Sequence, residues 1–239
     1  MAKASANPVA AMTSVPLQFN WDRGAGLDGR STQFTLNVQP VIPVSLDPEW
    51  NLITRVIVPV LRQPEWVAGQ GAASGVGDLV LTAFLSPAKA SGLIWGVGPV
   101  LVAPSATQKR LGADQWAVGP SVVMLVESGN WSYGSLANHL LRVSGGEGRT
   151  KINATFLNPF ASYRLGQGWS ATLAPEYTYN WEGQAGKKVT FPMVGVVSKV
   201  TRIGGQMLSV GVGYKHYLQS PDERPDHGFR LALTFLFPH

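Results

Sequence analysis

Apolar and polar residues alternate along most of this chain, and this two-residue period constrains its fold more than any other feature. In the last predicted segment five large apolar residues share one face: Phe229, Leu231, Leu233, Phe235 and Phe237. Successive side chains of a β-strand point to opposite faces, which produces this period, whereas the 3.6-residue period of a helix is nearly absent. The chain is therefore predicted to form strands with one apolar face and one polar, amide-rich face.

Twelve strand candidates follow from this alternation. They lie at about residues 13–21, 31–44, 49–62, 77–86, 92–103, 115–127, 130–143, 150–164, 168–181, 188–199, 205–217 and 227–238. The connections alternate between short turns and generally longer loops, which is typical of outer-membrane barrels, as is an even number of strands. The predicted fold is all-β: a transmembrane antiparallel up-and-down β-barrel of about twelve strands, with short periplasmic turns, longer extracellular loops and both termini in the periplasm.

The composition agrees with a membrane barrel. Only 14% of the 239 residues are charged, against about a quarter in a typical soluble domain. Lipid around a barrel removes the need for a charged outer shell. The longest uncharged stretch, residues 90–108, is interrupted by glycines and prolines and is not predicted to be a transmembrane helix. The absence of cysteine excludes disulfides and thiolate metal sites.

Two parts of the chain are distinguished in this prediction. Residues 1–12 form a periplasmic segment that could be helical, plug the lumen or fray, and residues 13–239 form the barrel. The first residues, Met-Ala-Lys and the small residues after them, lack the apolar core of a secretory signal. We expect a bacterial outer-membrane protein whose signal peptide has been removed.

The eight tryptophans lie near the ends of the predicted strands. Four follow the short turns and four lie near the longer loops: Trp50, Trp95, Trp131 and Trp169 in the first group, Trp21, Trp66, Trp116 and Trp181 in the second. Amphipathic rings gather at both interfaces of a bilayer, so this arrangement predicts two aromatic girdles. Tryptophans that flank turns in a soluble β-protein are the alternative interpretation.

Short motifs spread over the chain resemble, in the same order, those of one bacterial outer-membrane family. They are Gly75-Val76-Gly77-Asp78, Phe84-Leu85-Ser86-Pro87, Gly96-Val97-Gly98-Pro99, Gly119-Pro120, Tyr133-Gly134, Asn138-His139, Pro159-Phe160, Tyr179-Asn180-Trp181, Ile203-Gly204-Gly205-Gln206 and Phe235-Leu236-Phe237-Pro238. The family consists of transporters linked with the meta-cleavage pathway of phenol degradation. The resemblance implies an outer-membrane barrel that carries aromatic or other poorly soluble carbon sources, and it implies no catalytic residues.

The polar strand faces are predicted to line the lumen. The lining residues are Gln18, Asn20, Gln33, Thr35, Asn37, Gln39, Arg55, Arg142, Thr172, Glu176, Asn180, Lys215 and Arg230. Four cations against one carboxylate would attract anions and repel cations. In the alternative, Glu176 pairs with Arg55 or Arg230 and the amides bond to one another, so that side chains fill the barrel.

Few residues suggest any other chemistry. His139 shares a predicted strand face with Ser135, and Asn153 comes from the next strand, so a lipid acyl hydrolase is a minor alternative. The four histidines have no metal-ligand spacing, and neither a metal site nor a cofactor is predicted.

The predicted function is that of an outer-membrane channel or transporter for passive passage of small solutes, without enzymatic activity. The main alternative is a closed structural or surface-interaction barrel that acts through its extracellular loops. The expected partners are a small-molecule solute and outer-membrane lipid or lipopolysaccharide. The basic residues are scattered, so no nucleic-acid partner is expected.

Overall fold

Residues 12–89, 92–223 and 225–237 are described by the computed structural model, and they form an almost entirely β structure. The strands are β1 (Thr13–Ala25), β2 (Ser31–Val38), β3 (Val41–Ser45), β4 (Trp50–Gln63), β5 (Ala73–Val76), β6 (Leu79–Pro87), β7 (Leu93–Ala103), β8 (Gln115–Ser128), β9 (Trp131–Gly145), β10 (Asn153–Gly166), β11 (Trp169–Leu173), β12 (Tyr177–Asn180), β13 (Val189–Ile203), β14 (Gln206–Gln219) and β15 (His227–Phe237). A 3-10 helix, Pro221–Glu223, precedes β15. Of the segment predicted to be helical or to plug the lumen, residues 1–12, all but Met12 lie outside the described residues.

The strands form one antiparallel sheet that closes on itself. β1 pairs with β15, and β9 pairs with β10, so the sheet has no open edge. Three wall strands are each interrupted once and consist of two segments: β2 with β3, β5 with β6, and β11 with β12. The wall therefore has twelve antiparallel strands, and the predicted up-and-down β-barrel is confirmed.

Two of the interruptions occur at prolines, which remove a donor from the ladder. The pairing register is the same on both sides of Pro40 and on both sides of Pro175. The third interruption, at Gly77 and Asp78, shifts the register against β4 by one residue. Pro192 marks a register shift between β13 and β14. Prolines also lie inside strands, at Pro43, Pro59, Pro99, Pro120 and Pro159.

β1 extends to Ala25, four residues beyond the predicted end at residue 21. The charged pair Asp22 and Arg23 was expected in a loop, but pairing with β15 continues through Arg23 opposite His227. The neighbouring strands on both sides thus form hydrogen bonds with the backbone of these charged residues. The correction moves the Asp22 carboxylate from the predicted loop to the buried wall of the barrel.

Large apolar side chains cover the outer face of the wall. Val212, Phe229 and Val197 are 62%, 50% and 45% exposed, and many others are similarly exposed. Soluble proteins rarely leave so much apolar surface in water, so this band faces lipid. No helix within the described ranges is long and apolar enough to span a bilayer.

The wall has a weak point where Pro99 of β7 pairs in register with Pro120 of β8. The register between β8 and β9 skips Gly119 and Pro120, which lie beside His139 of β9. A Cβ atom on Gly119 would lie 1.6 Å from the carbonyl oxygen of His139. Only glycine permits this close approach of the two backbones.

Candidate functional site

A cavity of about 330 Å³ lies inside the lumen. It extends from Ser14 and Thr234, near the short-turn end of the barrel, to the charged side chains of Arg55, Glu176 and Arg230. Small hydroxyl groups line much of the wall between these limits: Ser162, Ser170, Thr172, Ser198 and Ser209. The cavity is thus hydroxyl-rich near the short turns and ends at a layer of charge.

The Arg230–Glu176 ion pair joins two walls of the lumen. Arg230 Nη1 lies 2.8 Å from Glu176 Oε1, and Arg230 Nε donates to Asn20 Oδ1 at 2.7 Å. Glu176 directly follows the interruption at Pro175, and its backbone N–H still donates to the carbonyl of Pro192 at 3.0 Å. The proline therefore breaks the ladder on one side only, and the strand stays in the wall while presenting the carboxylate to the lumen.

Arg55 is the second guanidinium of this cavity. Its Nη2 donates to Gln39 Oε1, and Gln39 itself is buried. Gln39 occupies the interruption between β2 and β3, where its backbone N–H donates to the carbonyl of Pro16 at 2.9 Å. Two guanidinium groups and one carboxylate line the cavity, so the described charges there sum to about plus one.

A buried ion pair closes the same side of the lumen nearer the long loops. Lys215 Nζ lies 2.7 Å from Asp22 Oδ1, and each residue is 5% exposed. The ammonium also lies 5.1 Å from the ring centroid of Tyr217. Lys215 was predicted to line the lumen as an uncompensated cation, and Asp22 supplies the partner that the shorter predicted strand had placed in a loop.

The opposite side of the lumen contains an apolar cluster. Ile53, Phe84, Val123 and Leu136 form a buried cluster inside the barrel. Val41, Ile94 and Phe156 pack against this cluster. Alternation did not reveal it, because the lipid-facing side of these strands is also apolar, as the run from Val122 to Val126 shows. Continuous apolar runs are the sequence signal of strands that are apolar on both faces.

Six of the predicted lining residues lie on the cavity: Gln18, Gln39, Arg55, Thr172, Glu176 and Arg230. Five others do not line it and lie closer to the long loops: Asn20, Gln33, Thr35, Asn180 and Lys215. Asn37 pairs with Gln18 but does not line the cavity either. Arg142 lies near the loop end of β9, where its Nε donates to the carbonyl of Gly145 at 2.8 Å. The structure therefore divides the predicted set into a cavity group and a loop-end group.

Three long loops are tied together above the apolar side. Arg110 donates to two carbonyls of the loop between β4 and β5. Arg149 donates to the carbonyls of Lys109 and Gly112, each at 2.6 Å. The carboxylate of Asp78 accepts two backbone N–H groups from the loop between β7 and β8, at 3.2 and 2.6 Å. The hydrogen bonds hold the loops as one cover.

One loop carboxylate has a shifted pKa. Desolvation acts to raise the pKa of Asp226, but hydrogen bonds from the backbone N–H and the ring of His227 outweigh it, so the pKa lies below its usual value. The side chain is 61% exposed, so the effect remains local.

His139 lies on the lipid-facing side of the wall, in a shallow apolar recess around Pro99 and Pro120. Its Nδ1 lies 2.8 Å from Thr155 Oγ1, which also accepts the indole N–H of Trp181 at 3.0 Å. Ser135 is four residues away on the same strand, about 13 Å along a β-strand. These positions separate the serine from the histidine that a hydrolase would need beside it.

The third member of that predicted group is also bonded elsewhere. The amide of Asn153 donates to Glu182 Oε1 at 3.0 Å. The hydroxyl of Ser135 is buried and has no hydrogen-bond partner among the described residues. No group of three or more possible metal ligands occurs in the part of the chain that the structure describes.

The tryptophans lie toward the two ends of the barrel. Trp50, Trp131 and Trp169 begin β4, β9 and β11 after short turns, and the ring centroids of Trp50 and Trp95 are 6.1 Å apart. The indole ring of Trp169 lies 5.1 Å from Lys199 Nζ. Near the long loops, Trp21, Trp66, Trp116 and Trp181 are 37–52% exposed. Both sets remain candidates for interface girdles.

Residues 13–239 match the family described as MetA-pathway of phenol degradation. Comparison with curated proteins gives no match. An outer membrane channel from Pseudomonas putida F1 is similar in structure, with a TM-score of 0.70, 17% identity and 96% of each chain covered.

Two further solved structures share the barrel. A FadL homologue from Pseudomonas aeruginosa has a TM-score of 0.53 at 9% identity, over 97% of this chain and 92% of that chain. The CymD monoaromatic hydrocarbon channel has a TM-score of 0.50 at 7% identity, over 99% and 92%. At such identities the similarity shows the shared fold. A closed barrel with a lipid-facing apolar band belongs in a bacterial outer membrane.

Proposed function

Because the chain belongs to the family described as MetA-pathway of phenol degradation, we propose that it is a channel for passive passage of small, poorly soluble aromatic solutes. The observation that carries this proposal is the two-sided lumen, in which the Ile53–Phe84 cluster lies beside Arg55 and across the lumen from Arg230. An apolar solute needs an apolar surface along its path, because a fully polar lumen would keep it in contact with ordered water.

The similar structures support the same proposal. One of them is a monoaromatic hydrocarbon channel, and another is an outer membrane channel of nearly equal length. The proposal assigns no reaction to this chain, because Ser135 and His139 do not form a nucleophile and base. The proposed partner is the solute, and lipid surrounds the outer face of the barrel.

A pair of adjacent residues on β14 offers a matched test. Ser209 lines the cavity, whereas Val210 is the next residue on the strand and points outward. Ser209→Trp should fill the cavity, and Val210→Trp should add a ring that faces lipid.

The measurement is the initial uptake of labelled toluene, in sealed vials, by intact porin-deficient Gram-negative cells. Cells with the wild-type protein or Val210→Trp should take up toluene faster than cells without it, and Ser209→Trp should remove most of that gain. Heat-modified gel migration would verify that each variant is folded. Equal uptake by all four strains would contradict the channel and favour a closed barrel that acts through its loops.

A further inference from the structure

The charged groups of the cavity are not balanced. Arg230 is paired with Glu176 at 2.8 Å, whereas the hydrogen bond shown for the Arg55 guanidinium goes to the neutral amide oxygen of Gln39. A guanidinium has five N–H donors, so most of those on Arg55 have no acceptor among the described residues. Glu176 is the one nearby carboxylate among the described residues, and it is hydrogen-bonded to Arg230, so it does not offset both guanidinium groups. A half-buried cation that is only partly offset favours an anion as its next neighbour.

Arg55 also lies at the boundary between the two sides of the lumen. On its own strand, Ile53 is two residues away and therefore shares the inward face. Across the sheet, Val41 pairs directly with Arg55 and packs against the cluster of Ile53 and Phe84. An anionic group on Arg55 would thus have an apolar surface directly beside it.

We propose that this cavity binds aromatic carboxylates, with the carboxylate on Arg55 and the ring against Phe84, Leu136 and Phe160. These three apolar side chains line the same cavity as Arg55. An arginine fork matches both oxygens of a carboxylate, which gives this class an advantage over neutral aromatics. The inference rests on the proposed channel function and names the substrate class of that lumen.

The cavity is large enough for such a ligand. An apolar cavity of about 150 Å³ holds benzene, and the lumen cavity has a volume of about 330 Å³. A single ring with one carboxylate fits within this volume. On the remaining wall, the hydroxyl of Thr172 donates to the hydroxyl of Ser162 at 2.9 Å.

Three probes separate charge from ring. Benzoate carries both, benzyl alcohol has the ring without the charge, and acetate has the charge without the ring. Calorimetric titration of the protein in lipid nanodiscs, with empty nanodiscs as the blank, should rank benzoate first. Acetate binding as tightly as benzoate would overturn the role of the apolar side, and benzyl alcohol binding as tightly would overturn the role of Arg55.

Arg55→Met and Arg62→Met form a matched pair on β4. Arg62 is exposed near the long loops, on the opposite face of the strand. Arg55→Met should weaken benzoate binding by about tenfold or more, as expected for a lost charge-assisted hydrogen bond, and should change benzyl alcohol binding by less than about twofold. Arg62→Met should leave both affinities unchanged.

Glu176→Gln tests the same charge balance in the opposite direction. Removing this carboxylate frees Arg230, so benzoate should bind several times more tightly than to the wild type.

A folded Arg55→Met variant with unchanged benzoate affinity would overturn the anion site. If Ser209→Trp still blocks toluene uptake in that case, the channel function is kept and only the anion site is overturned. If toluene uptake is absent but benzoate still binds, the channel function is overturned and the anion site is kept.

Discussion

On one side of the lumen Ile53, Phe84 and Leu136 pack together, whereas on the other side Arg230, Glu176 and the Lys215–Asp22 pair hold the wall through charge. Non-directional packing closes the first side, and the loops above it are tied into a cover. The second side depends on exact partners, because each buried charge is costly without one. The comparison teaches that, among the described residues, one side of a barrel can be filled by packing while the other borders a cavity lined by charged and hydroxyl groups.

The largest loss of stability is expected when an ion pair on the charged side is removed. Lys215→Met leaves the buried Asp22 carboxylate without its cation, which should lower the free energy of unfolding by about 4 kcal/mol. Urea titration of tryptophan fluorescence in phospholipid vesicles would measure the change.

The Lys187–Asp222 pair is the matched control, because its side chains are 44% and 59% exposed. Lys187→Met should cost less than about 1 kcal/mol. The double variant Asp22→Leu with Lys215→Met should recover most of the lost stability, since it removes both charges. Equal losses in the single and double variants would show that the charges themselves are unimportant.

A cavity introduced into the apolar side should destabilise the barrel. Phe84 is 1% exposed in its cluster, so Phe84→Ala should lower the free energy of unfolding by about 3 kcal/mol. Leu85, the next residue, is 38% exposed on the lipid-facing side, and Leu85→Ala should cost clearly less in the same urea titration. Similar losses for the two variants would mean that Phe84 does not pack as this cluster requires.

The sequence predicts the two sides unequally. Gln18, Glu176 and Arg230 are identifiable because polar residues alternate with apolar ones around them, so the inward face is visible. Phe84 and its cluster are not identifiable, because lipid on one face and packing on the other both select apolar residues. A period of two cannot assign an inside when both faces are apolar.

The alternation of apolar and polar residues also cannot predict which side chains form ion pairs across distant strands. Asp22 is 193 residues from Lys215, and only closure of β1 against β15, with β14 beside it, brings the two together. The sequence allows Glu176 to pair with either arginine, and in the structure its carboxylate accepts a hydrogen bond from Arg230. The twelve-strand fold was accessible because turns and alternation are local signals.

The loop cover should respond to loss of one carboxylate. Asp78→Ala removes two hydrogen bonds to the loop between β7 and β8, a local loss of about 2 kcal/mol. Trypsin should then cleave faster after Lys109 or Arg110, as read by mass spectrometry of the intact barrel in detergent.

Asp28 is the control for this experiment, because its carboxylate accepts only the nearby N–H of Arg30 at 3.0 Å among the described contacts. Asp28→Ala should leave cleavage after Lys109 and Arg110 unchanged. Unchanged cleavage in Asp78→Ala as well would mean that the arginine contacts alone hold the loop.

The smallest effect is expected at the border between the two sides. The amide of Asn158 donates to the carbonyl of Pro175 at 2.9 Å, which compensates for the ladder that the proline interrupts. Asn158→Leu should lower the free energy of unfolding by about 1 kcal/mol, the usual net value of one hydrogen bond. If this bond positions Glu176, the variant should also weaken discrimination between benzoate and benzyl alcohol, because the neighbouring ion pair would relax. A stability loss with unchanged discrimination would show that the ion pair holds its place without help from β10.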